Sequence, residues 1–96
     1  LGIIIKKIFL NYKKELRKRA FSLKPLVIIG QHGLSDLVLA DINVVLNAYE
    51  LIKIRMRGDK KIRSEQCLKI EQQLDAEIIH QIGFITVLYR PKLDSK

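Results

Sequence analysis

Residues 23–36 read Leu-Lys-Pro-Leu-Val-Ile-Ile-Gly-Gln-His-Gly-Leu-Ser-Asp, and the way this stretch folds decides the rest of the chain. Pro25 ends whatever helix precedes it, because the residue before a proline is pushed out of helical geometry. Leu26 to Ile29 form a short apolar run between Pro25 and Gly30, the pattern of a strand buried on both faces. Gly30 and Gly33 then make a turn. Ser35 stands where it can cap a helix, with Asp36 in the first turn, where negative charge suits the helix dipole. The tetrapeptide Gly30-Gln31-His32-Gly33 therefore joins a strand to a helix.

Upstream, Ile5, Ile8, Phe9, Tyr12, Leu16, Ala20 and Leu23 recur at spacings of three and four and mark one stripe of a first helix. Downstream, Val38, Ile42, Val45, Leu46 and Tyr49 give the stripe of a second helix ending near residue 48. Leu51 to Arg57 alternates strictly. Ile52, Ile54 and Met56 point one way, and Lys53, Arg55 and Arg57 point the other, which predicts a strand with one buried and one cationic face. Gly58 to Lys61 is turn chemistry. A third helix of weaker pattern is expected from about Lys61 to Leu74, with Ile62, Leu68 and Leu74 inward. Residues 77–82 and 84–90 read as two strands joined through Gly83, a connection so short that it predicts an antiparallel hairpin.

The order is αβαβαββ. Right-handed crossovers place the second and third helices on one face if their strands run parallel. The expected fold is α/β of the two-layer α+β type, with a mixed four-stranded sheet whose other face is covered by the first helix or left open and polar. At 96 residues the chain makes one domain. Its expected limits are 13–92, with 1–12 an extension or the start of the first helix and 93–96 a tail.

The chain holds 18 Lys and Arg against 10 Asp and Glu, a net charge of +8. The excess is uneven: residues 1–24 carry eight bases against Glu15 alone, and residues 53–63 carry six against Asp59. Such clusters face a nucleic-acid backbone or an anionic membrane. The apolar start, Leu1 to Ile5, is far short of the roughly 20 residues a span requires and lacks the leading charge of a signal peptide. A cytoplasmic protein without a membrane partner is the expectation. Cys67 has no second cysteine to pair with, in keeping with a reducing compartment. Two histidines and one cysteine, scattered, make no metal-ligand spacing, and no nucleophile–base motif appears. No cofactor, no metal and no enzymatic activity are expected. His80 reads as a satisfied sheet histidine, and Tyr12, Tyr49 and Tyr89 fall on core-facing or strand positions.

The glycine turn has a use that matches the charge. Without a Cβ, its backbone N–H groups can approach a phosphate closely. The loop also empties into a helix N-terminus, which favours an anion. Gln31 and His32 would be presented to the ligand. KH modules clamp a single-stranded backbone with a loop of this spacing. A dinucleotide fingerprint needs a third glycine where Asp36 stands, and a P-loop needs a Gly-Lys-Ser or Gly-Lys-Thr that is absent. The bland alternative is a turn whose glycines serve geometry alone. Lys14, Arg17, Lys18 and Lys24 are candidate phosphate contacts, or else a solvated helix face. Lys53, Arg55 and Arg57 are candidates too, or else the wet side of a half-buried strand. Arg90 and Lys92 are weaker candidates.

Residues 16–56 from Leu16 to Met56, with Ile82 to Pro91, resemble the CRM domain (chloroplast RNA splicing and ribosome maturation) in its bacterial stand-alone, YhbY-like form. The most specific parts are Leu23-Lys24-Pro25 leading into Gly30-Gln31-His32-Gly33-Leu34, then Glu50-Leu51-Ile52-Lys53, then Leu88-Tyr89-Arg90-Pro91. The resemblance implies an αβαβαββ fold similar to the C-terminal domain of a bacterial translation initiation factor. It also implies RNA binding through the GxxG loop and nearby basic surface, and association with ribosomal RNA of the large-subunit precursor, by a protein expected to be a monomer. The alternatives are a small RNA-processing enzyme, which lacks a visible site, and a protein-docking module using Ile3, Ile4, Ile5 and Phe9.

Overall fold

A computed structural model describes residues 12–30 and 33–91. The expectations placed on residues 1–11, on Gln31 and His32 and on Lys92 lie outside them. The elements are α1 (residues 12–20), β1 (Pro25–Ile28), α2 (Asp36–Tyr49), β2 (Leu51–Arg55), α3 (Lys60–Leu74), β3 (Glu77–Ile82) and β4 (Ile85–Tyr89). They are α+β, with three helices and a four-stranded sheet in the order β1-β2-β4-β3. β1 runs parallel to β2, and the other neighbours are antiparallel, so the sheet is mixed as expected.

β2 organises the core because its alternation is clean. Ile52 and Ile54, with Met56 just beyond, are fully buried on one face. There they meet Leu39, Ile42 and Leu46 of α2 and Cys67 and Ile70 of α3. Both helices thus lie on the same side of the sheet, as right-handed crossovers require. Each such aliphatic side chain contributes about 1.5–3 kcal/mol by leaving water. On the opposite face a smaller cluster forms where Leu16 and Ala20 of α1 pack on Leu51, Ile79, Val87 and Tyr89. Tyr12 reinforces it, with its ring edge-on to Tyr89 at 5.5 Å between centroids and its hydroxyl donating to the Tyr89 hydroxyl.

Capping fixes where helices begin. The Ser35 hydroxyl accepts the Val38 N–H at 3.2 Å, so the expected N-cap of α2 is present. Asp59 does the same for α3, accepting from Ile62 at 2.9 Å. Gly58, at φ +100, turns the chain into that cap. At the far ends, Arg90 binds both helices: its guanidinium donates to the Leu74 carbonyl at 2.8 Å, the Asn43 carbonyl at 3.3 Å and Asn47 Oδ1 at 2.9 Å. A cation at two helix C-termini is favoured by the dipoles.

Three expectations need correction. β1 is an edge strand, not one buried on both faces: Ile29 beyond its end is buried, whereas Leu26 and Ile28 stand open. Only one side of the sheet is covered at that edge. In α3, Ile62 and Leu68 are exposed, and the inward positions are Cys67 and Ile70 with Leu74 half-buried. The true stripe passes through Arg63, Gln66 and Cys67, polar or small residues that hydrophobic periodicity undervalues. Tyr49, the last residue of α2, is exposed rather than core-facing.

Candidate nucleic-acid interface

Pairing registers divide the α1 side of the sheet into three rows. Leu51, Tyr89 and Glu77 form the first, Lys53, Val87 and His80 the second, and Ile28, Arg55, Ile85 and Ile82 the third. α1 crosses these rows obliquely. It starts over the first, where Lys13 approaches Glu77 at 4.0 Å. Midway, the Arg17 guanidinium reaches Nδ1 of His80 at 3.5 Å. Past its end, Lys53 Nζ donates to the Phe21 carbonyl at 3.3 Å. The third row remains uncovered.

The outer side of α1 presents Lys14, Arg17 and Lys18, all exposed, which with Phe21 and His80 line a shallow hollow. The described polar spacing of α1 explains this: Leu16 and Ala20, four apart, take the inward stripe, so residues 14, 17 and 18 face outward. Lys53 belongs to the same face as Arg55 but is half-buried and holds the C-terminal end of α1, so it serves the fold as well as the charge. Arg55 and Arg57 are exposed at the end of β2 and line a second hollow with Ile28, Gly58 and Phe84. Lys24 is exposed on the other flank, beside Arg19, Leu23 and Tyr49.

The glycine loop leaves the sheet next to Arg55. The Ile29 N–H donates to the Arg55 carbonyl at 2.8 Å, and Gly30 follows directly. The Gly33 N–H donates back to the Gly30 carbonyl at 3.0 Å, with Gly33 at φ +76. The Gly33 N–H is thus engaged within the chain. Lys69 of α3 supports the loop from the side, Nζ to the Leu34 carbonyl at 3.5 Å.

Two residues absent from the sequence reading matter here. Phe84, at the β3–β4 turn, lies under the Arg63 guanidinium, 4.9 Å from its ring centroid. Arg63 is itself fixed by donating to the Gly58 carbonyl at 2.6 Å. Phe21, just past α1, is 87% exposed amid cations. The available signal was the placing of an aromatic residue beside each basic cluster. Arg90, by contrast, is occupied by the helix ends and is remote from this face. Among the described residues no group of three or more His, Cys, Asp or Glu side chains gathers as metal ligands would.

The arrangement exposes two cationic groups, Lys14, Arg17 and Lys18 on α1 and Arg55 and Arg57 at the end of β2, the second beside the glycine turn, each suited to a polyanion. Residues 11–90 match the CRS1/YhbY (CRM) domain model. The chain belongs to that family. An RNA-binding protein of Haemophilus influenzae is 38% identical over 85 residues, covering 88% of this chain and 86% of that one. One from Pseudomonas aeruginosa, named a probable RNA-binding protein, is 31% identical over 81% of this CRM chain and 76% of its own. The solution structure of a Staphylococcus aureus protein put forward as RNA-binding superposes with a TM-score of 0.78 at 25% identity, covering 91% of this chain and 92% of that one.

Proposed function

We propose that this CRM-domain chain binds RNA without acting on it chemically, and that its target is ribosomal RNA of the large-subunit precursor, met in the cytoplasm by the monomer. The observation that carries the reading is the exposure of Lys14, Arg17 and Lys18 on α1 together with that of Arg55 and Arg57 at the end of β2, where the chain enters the Gly30–Gly33 segment. Relatives named for RNA binding support the class of partner. Gln31 and His32, at the tip of the turn by sequence, are the side chains this reading presents to the phosphate path, with Lys24 and Lys53 adding charge at its margins.

Crosslinking in cells followed by sequencing of the bound RNA, together with sedimentation on a ribosome gradient, tests the proposal. Enrichment of large-subunit ribosomal RNA and migration with the large-subunit precursor are expected. A protein that stays at the top of the gradient and enriches no RNA would refute it. The loop is tested separately by Gln31→Glu with His32→Glu, which keeps both glycines. The variant should melt like the parent and lose at least about tenfold in RNA affinity, roughly 1.4 kcal/mol. Undiminished binding would reduce the loop to a turn.

A further inference from the structure

Two of the chain's three phenylalanines lie in the two hollows that the exposed cations line, where burial gives no account of them. Phe21 is 87% exposed in the hollow shared with Lys14, Arg17, Lys18 and His80. Phe84 is 51% exposed in the hollow shared with Ile28, Arg55 and Arg57. Both residues are held through their backbones. The Phe21 carbonyl is held by Lys53, and the Phe84 carbonyl accepts the Met56 N–H at 2.7 Å. Both residues are thus tied to β2 and its extension, Phe21 through the Lys53 side chain and Phe84 through the Met56 N–H. Arg63 over the Phe84 ring further restricts it. The uncovered row on the α1 side offers Ile28 and Ile82, 60% and 64% exposed, with Arg55 among them.

We infer that these two hollows are stacking sites for unpaired nucleotides: bases lie on Phe21 and Phe84 while phosphates follow Arg17, Lys18, Arg55 and Arg57. The inference rests on the RNA reading and deepens it, since it names single-stranded RNA as the substrate class. The chemistry decides between ligands. A duplex hides its base faces and would find in two exposed phenyl rings only an obstacle. An unpaired base offers a π-face whose stacking on an aromatic side chain is favourable for any base. A protein partner would want the apolar surface but would gain little from cations ringing both aromatics, and the complementary polyanion already supplies the opposite charge.

The test uses the whole chain with three probes: an unpaired 12-nucleotide oligouridylate, the same oligonucleotide with its bases removed, and a 12-base-pair RNA duplex. Phe21→Ala and Phe84→Ala should each lower affinity for the unpaired probe by about 5- to 100-fold, the range set by losing one base stack. Their salt dependence should stay that of the parent, because no phosphate contact is removed. Phe21→Trp and Phe84→Trp keep a π-face and should bind as well as the parent, which separates stacking from a loss of folding. The abasic probe should bind the parent weakly and be indifferent to both alanine changes. Equal losses on duplex and unpaired probes, or undiminished binding by both alanine variants, would overturn the stacking sites while leaving RNA binding intact. A parent that binds none of the probes would remove the RNA reading itself and the stacking sites with it. Self-association of the parent abolished by Phe21→Ala would overturn the inference in favour of a contact between copies.

Discussion

The salt dependence of RNA binding can be worked out from the exposed cations. Each phosphate neutralised on a single strand contributes about 0.7 to the magnitude of the slope of log affinity against log salt. Lys14, Arg17 and Lys18 on α1, with Arg55 and Arg57 at the end of β2, make five exposed positions. A strand that meets all five should show a slope near −3.5, a loss of roughly 100-fold in affinity between 50 and 200 mM salt. Changing the α1 group to Ala should reduce the magnitude by about 2.1, and changing Arg55 and Arg57 by about 1.4. If one RNA path connects the two groups, the reductions add in the quintuple variant. Filter binding or fluorescence anisotropy at five salt concentrations measures each slope. Slopes that stay at the parental value in both variants would refute the reasoning and return these residues to ordinary solvated charge. A reduction in only one of the two would make one group a site and the other a bystander.

Arg90→Met should lower stability by about 2–3 kcal/mol, since charged hydrogen bonds to two helix ends are lost, and melting should fall by roughly 10 °C or more, while the salt slope is untouched. Gly33→Ala should lower stability by about 1–2 kcal/mol through its positive φ alone; Gly58→Ala should lose more, about 2–5 kcal/mol, because overpacking adds to the backbone term. The reason is that a Cβ at Gly58 would meet Ile62 Cγ2 at 2.8 Å, and urea titrations rank the two. Burial pushes the Cys67 thiol up, and its Sγ lies against Met56 Sδ at 3.9 Å, so a thiol reagent at mild alkaline pH should label it only as fast as the protein opens. Burial, with the hydrogen bond to Tyr89, pushes the Tyr12 phenol up to about 12. Its contribution to stability is full below the unfolded value near pH 10 and is lost as pH rises to about 12, so Tyr12→Phe should flatten that alkaline decline.

What the sequence shows depends on how strongly each segment repeats. β2 was legible to the residue because alternation is strict and the two faces differ in charge as well as polarity. Ser35 and Asp36 announced α2 for the same reason, that capping is local chemistry. α3 misled because its inward side carries Arg63, Gln66 and Cys67, so apolar spacing pointed at Ile62 and Leu68, which are exposed. β1 misled because an apolar run reads alike whether it is flanked on both sides or lies at an edge; only sheet order tells them apart. The cationic positions of α1 and β2 were legible, but their placement in space was not. That depends on the oblique path of α1, set by Leu16 and Ala20 against a sheet assembled from strands distant in sequence. Phe21 and Phe84 escaped notice because neither is periodic with anything.

The site and the core are two faces of the same strand, which ties recognition to stability. Ile52 and Ile54 hold β2 in register against α2 and α3, and the two-residue period then forces Lys53 and Arg55 to the opposite side. A slip of one residue would bury two cations and expose two isoleucines, so the register is strongly determined. Lys53 in turn fixes the end of α1, and α1 carries the other cations. Charge that reads along the chain as two separate clusters is thus tied to a single strand. The third row, Ile28–Arg55–Ile85–Ile82, stays open because α1 ends over the second. A longer or straighter α1 would cover it. The row is therefore open because the helix stops at Ala20 and the chain, its Phe21 carbonyl accepting from Lys53, turns away towards Pro25.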